Sequence, residues 1–145
     1  MRIVITGAQG QLGTDLRQVL QGHQLTLLDL PTFDLTHQDC GRVIVEAAPE
    51  VVIHAGAHTD VDGAERNPAL ALAVNAEGTE RVARAAALVG ARLIYISTDY
   101  VFDGAKESPY TEDDPPSPIN AYGRSKLAGE RAVGESAGDY LILRT

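Results

Sequence analysis

The chain has 145 residues, 44% hydrophobic and 22% charged, and a formal net charge of −8. That is enough chain for one domain with a real core and too little for two. The charge argues against a nucleic-acid backbone as partner; the single Cys40 excludes an intrachain disulfide or a cysteine-based zinc site; and no apolar run reaches the length of a membrane span. "MRIVITGAQG" passes straight from one Arg into a strand-like run, without the apolar stretch and cleavage site of a signal peptide, so a cytoplasmic protein is expected.

Strand-like and helix-like segments alternate along the sequence. "RIVIT" (2–6) is a short β-branched run, expected as a buried strand. A helix follows, with Leu12, Leu16, Val19 and Leu20 on one face and Gly22 as its stop. "LTLLD" (25–29) reads as a second strand, and Cys40, Val43, Ile44 and Ala47 then fall at helical spacing before Pro49. "VVIHA" (51–55) is a third strand. Residues 67–90 read as one long helix, with Asn67 as cap, Pro68 at the first position and Gly90 as stop. "RLIYIS" (92–97) is a fourth strand. Residues 98–118, rich in Gly, Pro and Asp, read as a loop. A helix over about 119–137 and a final buried strand, "YLILR", complete the chain.

Buried strands alternating with helices predict an α/β, Rossmann-like doubly wound parallel sheet with helices on both faces. Ligands of such sheets bind beyond the carboxyl ends of the strands, so the loops 7–13, 29–35, 55–66 and 98–118 are expected to share one rim.

"TGAQGQLG" joins the first strand directly to the first helix. Gly7, Gly10 and Gly13 give the backbone a tight turn, close approach to a pyrophosphate and close helix packing. Gln9, Gln11 and Leu12 lie in the same turn, where free helix amides would meet phosphates. Asp29 stands close to the roughly 20-residue offset of a ribose-binding carboxylate; its alternative role is capping a loop. No Lys or Arg lies between Gly7 and Leu16 or between Leu25 and His37. A 2′-phosphate would meet a carboxylate and no cation, so NADH is preferred over NADPH.

Tyr122 and Lys126, in "YGRSK", are one helical turn apart. Together with "STDYVFDG" (97–104), "VNAEGT" and the glycine turn, they carry a resemblance that spans the whole chain. The sequence resembles the extended short-chain dehydrogenase/reductases, and within them the branch that reduces dTDP-linked 4-keto-6-deoxy sugars with NADH or NADPH. The resemblance implies Thr98, Tyr122 and Lys126 as the catalytic group. A ketone reduction leaves an oxyanion that needs a proton; Tyr122 would supply it, Lys126 would lower the phenol's pKa, and Thr98 would polarise the carbonyl. It also implies that Lys126 holds the nicotinamide ribose. Asn75 is implied as structural support, tying neighbouring strand backbone, or else faces solvent. Ala55, Gly56 and Ala57 would lie along the cofactor, or else be small for close sheet–helix packing. Asp34 and Leu35 would meet the adenine edge. Asp99 and Tyr100 would orient the sugar, with packing an equal alternative for Tyr100.

Members of that branch are about twice as long, and a smaller C-terminal domain binds most of the nucleotide-sugar. Residues 1–145 are therefore expected to be the NAD(P)-binding domain of a longer protein, with a stand-alone cofactor domain as the alternative, and to show negligible sugar turnover on their own. A homodimer is compatible with the resemblance. An epimerase on a nucleotide-sugar, and a regulatory subunit of the methionine adenosyltransferase type that binds NAD(P) without catalysis, are the alternatives. His23, His37, His54 and His58 show no metal-ligand spacing. His54 is expected as a hydrogen-bonded core residue, and His58 could touch substrate. "DVDGAE" lacks the ligand spacing of a calcium loop, and "TEDDPPSP" reads as a solvated charge run.

Overall fold

Ile3, Val4 and Ile5 are at most 3% exposed, so this β-branched run has no face left for water. The computed structural model, which describes residues 1–145, explains why: β1 (Arg2–Thr6) lies inside a sheet and is covered from both sides. Beside it run β2 (Gln24–Leu28), β3 (Val51–His54), β4 (Arg92–Ser97) and β5 (Asp139–Arg144), all parallel, in the order β2-β1-β3-β4-β5. Strands that point the same way put all their carboxyl ends on one rim.

Val4, Val52, Leu93 and Tyr95 point to one face, under α2 (Gly41–Ala47), α5 (Thr79–Leu88) and α6 (Ala121–Ser136). Ile3, Ile5 and Ile53 point to the other, against Leu16 and Leu20 at the end of α1 (Gln11–Val19). Helices therefore lie on both faces, but unevenly. On the α1 side, Leu141 and Leu143 remain 49% and 41% exposed.

The final strand is an exposed edge rather than a buried strand, because β5 has a neighbour on one side only. Val19 is 76% exposed: Leu16 and Leu20 fill the contact with the sheet, and Val19 falls outside that arc. Residues 55–66 are not wholly loop, since Val61–Arg66 form a short helix, α3, capped by Asp60 Oδ1 accepting from Gly63 N at 2.8 Å. Residues 67–90 are not one regular helix. Asn67 caps α4 (Pro68–Leu72) as expected, but Ala73–Gly78 form a π turn before α5 begins. A π turn adds one residue to a helical turn without changing the hydrophobic pattern enough to be read. Gly90 ends the run with φ +68°, a conformation that favours glycine. The acidic stretch after residue 110 is only partly solvated. Asp114 accepts from Lys106 Nζ, Thr111 N and Thr111 Oγ1, and Tyr110 stacks on Phe102 with ring centroids 4.2 Å apart.

Helix α6 packs against the π turn at Gly129. A Cβ there would strike the Asn75 carbonyl oxygen and the Tyr95 hydroxyl. Gly129→Ala therefore overpacks this contact, which costs about 1–3 kcal/mol. Thermal unfolding should show Tm lowered by roughly 3–10 °C; an unchanged Tm would mean the two helices are not held this close.

Candidate active site

The glycine turn is built by close packing. Gly7 has φ +68°, and a Cβ on it would lie 2.6 Å from Gly56 N. A Cβ on Gly13 would strike the Gly7 carbonyl, so only glycine lets α1 start this close to the turn. No side chain caps α1, which leaves its first-turn amides at Gln11, Leu12 and Gly13 beside the cleft. Asp29 follows β2 rather than ending it. Its two carboxylate oxygens accept from Gln9 N at 2.7 Å and Leu30 N at 2.8 Å, and Gln9 Nε2 donates to Leu30 O at 2.9 Å. Loop capping by Asp29 is thus present in the structure, and its charge still faces the cleft.

The cleft has a volume of about 820 Å³. Gly7, Gln9, Gly10, Gln11, Leu12, Gly13, Asp29, Ala55, Gly56, Ala57, Tyr122 and Lys126 all line it. Asp34 and Leu35 do not; they line a slot of about 110 Å³ next to it, with Leu30, Phe33 and Val74. Gly7, Asp29, Gly56 and Ala57 border both spaces, so a polar turn opens into a largely apolar slot. This shape and chemistry suit a dinucleotide. Asp34 itself is turned to its own loop, where Oδ1 accepts from Thr36 N and Thr36 Oγ1 and its pKa is lowered by those bonds. Thr98, Asp99 and Tyr100 line neither space. The loop after β4 meets the rim through Tyr122, against which Tyr100 packs and whose phenol the Thr98 hydroxyl reaches.

Tyr122 and Lys126 sit on one face of α6, as their spacing requires. Burial pushes the Tyr122 phenol above its ordinary pKa; the Thr98 hydroxyl opposes this, while Asp99 and Tyr100 add to it. The expectation that Lys126 lowers the Tyr122 pKa is not met in the open cleft. Lys126 is itself buried, and desolvation drives its pKa from 10.5 to about 7, with Glu130 opposing. Nζ donates to Ile96 O at 2.7 Å and lies 4.2 Å from the Tyr95 ring centroid. Neither is an anion that could hold the ammonium charged. Tyr100 packs edge-on against Tyr122, with centroids 5.6 Å apart, which is a packing contact. Thr98 Oγ1 accepts from Tyr100 N at 3.2 Å and donates weakly to Asp99 at 3.3 Å.

Asn75 is fully buried and ties the loop after β3 to α6, rather than strand to strand. Its Oδ1 accepts from His58 N at 2.8 Å, and its Nδ2 donates to His58 O at 3.0 Å and Ser125 Oγ at 2.9 Å. Ser125 in turn donates to the Tyr122 carbonyl at 2.7 Å. His54 is a core residue, as expected, and its tautomer follows from its partners. Thr79 Oγ1 donates its one proton to Asn75 O at 2.8 Å, so it can only accept from His54 Nε2 at 3.0 Å. Nδ1 then accepts from Thr6 Oγ1 at 2.6 Å, and Thr6 accepts from Gly56 N at 3.2 Å. This chain of neutral groups joins the cleft-lining loop to the π turn, and burial lowers the His54 pKa to about 3. His58 Nδ1 is buried without a partner.

The sequence reading missed Ser125, although it sits inside "YGRSK" three residues after Tyr122 on the same helix face. It also missed Glu130, a buried carboxylate that accepts from Ser97 Oγ at 2.6 Å and from Arg144 Nε and a terminal Arg144 nitrogen at 2.9 and 2.8 Å. Glu130, Ser97 and Arg144 lie on three separate elements, α6, β4 and β5, so no local spacing announces their meeting. Asp60 and Asp62 of "DVDGAE" serve the start of α3, and no three His, Cys, Asp or Glu side chains gather as a metal site. No helix is long and apolar enough to cross a membrane.

A parallel sheet that brings a glycine turn and a tyrosine–lysine helix to one cleft defines a Rossmann-like domain of the short-chain dehydrogenase/reductase kind. The RmlD substrate binding domain family matches residues 1–145, and the chain belongs to that family. It is 46% identical over 147 residues to the dTDP-4-dehydrorhamnose reductase of Burkholderia thailandensis, covering 100% of this chain and 49% of that protein. It is 47% identical over 150 residues to the reductase of the same name from Mycobacterium tuberculosis, covering 99% and 49%. Among solved structures, the dTDP-4-dehydrorhamnose reductase of Bacillus anthracis in complex with NADP superposes with a TM-score of 0.94 at 44% identity, over 99% of this chain and 52% of that one. The Bordetella bronchiseptica enzyme WbmG, in complex with NAD and UDP, superposes at 0.86 with 29% identity, over 99% and 52%. The chain spans about half the length of the curated relatives it matches.

The buried amine has a thermodynamic consequence. Lys126 has a folded-state pKa of about 7 against an ordinary 10.5. Between these values the unfolded chain holds a proton that the folded chain does not, so stability rises with pH across that window. Lys126→Met should raise the Tm of the ligand-free protein at pH 7.5, and the gain should shrink toward pH 10. A variant less stable than wild type at pH 7.5 would show that the ammonium is well compensated.

Proposed function

We propose that residues 1–145 are the NAD(P)-binding domain of a cytoplasmic dTDP-4-dehydrorhamnose reductase. The whole protein reduces dTDP-4-dehydro-L-rhamnose to dTDP-L-rhamnose, as a step of dTDP-rhamnose biosynthesis. One observation carries this reading: Tyr122 and Lys126 line the same cleft as Gly7, Gly10 and Gly13, so a proton donor stands beside a dinucleotide cradle. The names of the relatives and the NADP and NAD complexes among them support it.

Amides of Gln11, Leu12 and Gly13 would hold the pyrophosphate, which lets a strongly acidic chain bind an anion without cationic side chains. Asp29 would accept from the adenosine ribose hydroxyls, and the slot at Leu35 would take the adenine edge. Bound NAD(P)H supplies the hydride to the C4 carbonyl carbon. Tyr122 gives its phenol proton to the resulting oxyanion. Thr98 holds a weak bond to Asp99, which leaves its hydroxyl able to re-aim at the carbonyl oxygen. Lys126 has donors left over after Ile96 O, and these would hold the nicotinamide ribose. An anionic ligand in the cleft would favour the charged amine again, and that ammonium would then oppose the rise in the Tyr122 pKa.

In the whole protein, Tyr122→Phe should lower kcat at least a hundredfold, with NAD(P)H affinity unchanged within about threefold. Wild-type protein that binds NAD(P)H yet reduces no dTDP-linked keto-sugar would move the assignment to a non-catalytic, regulatory role. Asp29, with no Lys or Arg near it in sequence, favours NADH over NADPH. Fluorescence titration should give the lower Kd for NADH; markedly tighter NADPH binding would refute the preference.

A further inference from the structure

Tyr122 can act only if the first turn of α6 holds it still, and that turn is held from outside its own helix. Glu65 lies on α3, in the stretch "DVDGAE", with no sequence link to α6. Its Oε1 accepts from Ala121 N at 2.5 Å, the amide directly before Tyr122. Asn120 Oδ1 accepts from Gly123 N at 2.7 Å, the amide directly after it. Both belong to the set of amides that a helix start leaves without partners. Arg124 places a guanidinium nitrogen 3.8 Å from Glu65 Oε1, which helps keep the carboxylate in place. Beneath it, Ala64 of α3 packs with Ala71, Ala121 and the Tyr122 ring in one buried cluster, with Val61 at its edge.

We propose that Glu65 is a positioning residue for Tyr122: with Asn120 it clamps the two amides that flank the tyrosine and so fixes where the phenol points into the cleft. Glu65 does not line the cleft, and the proposal rests on the reductase reading above. A carboxylate at a helix start also meets the positive end of the helix dipole, but the clamp needs only an acceptor oxygen, which a carboxamide also offers.

The test compares Glu65→Ala and Glu65→Gln with wild type in the whole protein. Three quantities are measured: kcat and KM with a dTDP-linked keto-sugar, Kd for NAD(P)H, and amide hydrogen exchange across residues 119–126. Glu65→Ala should lower kcat about tenfold, equivalent to about 1.4 kcal/mol of barrier. Its NAD(P)H Kd should stay within about twofold, and exchange at the start of α6 should quicken. Glu65→Gln should restore both kcat and slow exchange to near wild type. The proposal is overturned if Glu65→Ala keeps wild-type kcat, or if Glu65→Gln is as impaired as Glu65→Ala. A fall in cofactor affinity as large as the fall in kcat would also overturn it, since it would mark general loosening. If wild type itself reduces no keto-sugar, the reductase reading fails, and exchange decides the clamp alone. Quickening in Glu65→Ala with recovery in Glu65→Gln upholds it, and unchanged exchange refutes it.

Discussion

Helix α6 lies so close to the π turn that Gly129 has no room for a side chain beside the Asn75 carbonyl. This approach governs the rest of the site. It brings Ser125 within reach of Asn75 Nδ2, and Ser125 in turn holds the Tyr122 carbonyl. It also lays Lys126 over the Tyr95 ring. On its other side the same turn reaches Thr79 and His54, and through Thr6 the amide of Gly56 in the cleft wall. The two walls of the cleft are thereby joined through buried, neutral, directional hydrogen bonds. Asn75 Nδ2 spends both its protons in this chain, on His58 O and Ser125 Oγ, and the hydroxyls of Thr6, Thr79 and Ser125 spend one each.

The electrostatics of the cleft follow from the same burial. An acidic chain has placed one amine in a pocket with a carbonyl and an aromatic face for company, where the charged form is poorly supported. The nearest buried carboxylate, Glu130, is already engaged by Ser97 and Arg144. Such an arrangement makes the charged form of the amine costly to hold in the folded chain. The same burial raises the Tyr122 phenol above its ordinary pKa.

Much of this was legible from residue order. "RIVIT" could only be a buried strand, the spacing of Gly7, Gly10 and Gly13 marked the turn after it, and Tyr122 and Lys126 had to share a helix face. The cleft gathers the whole glycine turn, Asp29, Ala55, Gly56, Ala57, Tyr122 and Lys126 in one place. What escaped the sequence was of a different kind. The π turn leaves no mark on a hydrophobic pattern, and α3 is too short for periodicity to show. The 3₁₀ turn after β4 sets Tyr100 against the Tyr122 ring, a contact across 22 residues that no local pattern announces. The direction of the Tyr122 and Lys126 pKa shifts depends on burial, which no local spacing encodes.

The sequence by itself determined the alternation of strands and helices, the place of the glycine turn and the residue types that can hold phosphates and move a proton. Those follow from local rules: periodicity, capping and the conformational freedom of glycine. Only the tertiary structure decided which groups meet. Glu65 to Ala121, Asn75 to Ser125, Glu130 to Arg144 and Thr6 to His54 pair across 14 to 56 residues of chain. Packing, rather than sequence neighbourhood, sets these distances, and it is packing that removed water from Lys126 and Tyr122 and thereby set their chemistry.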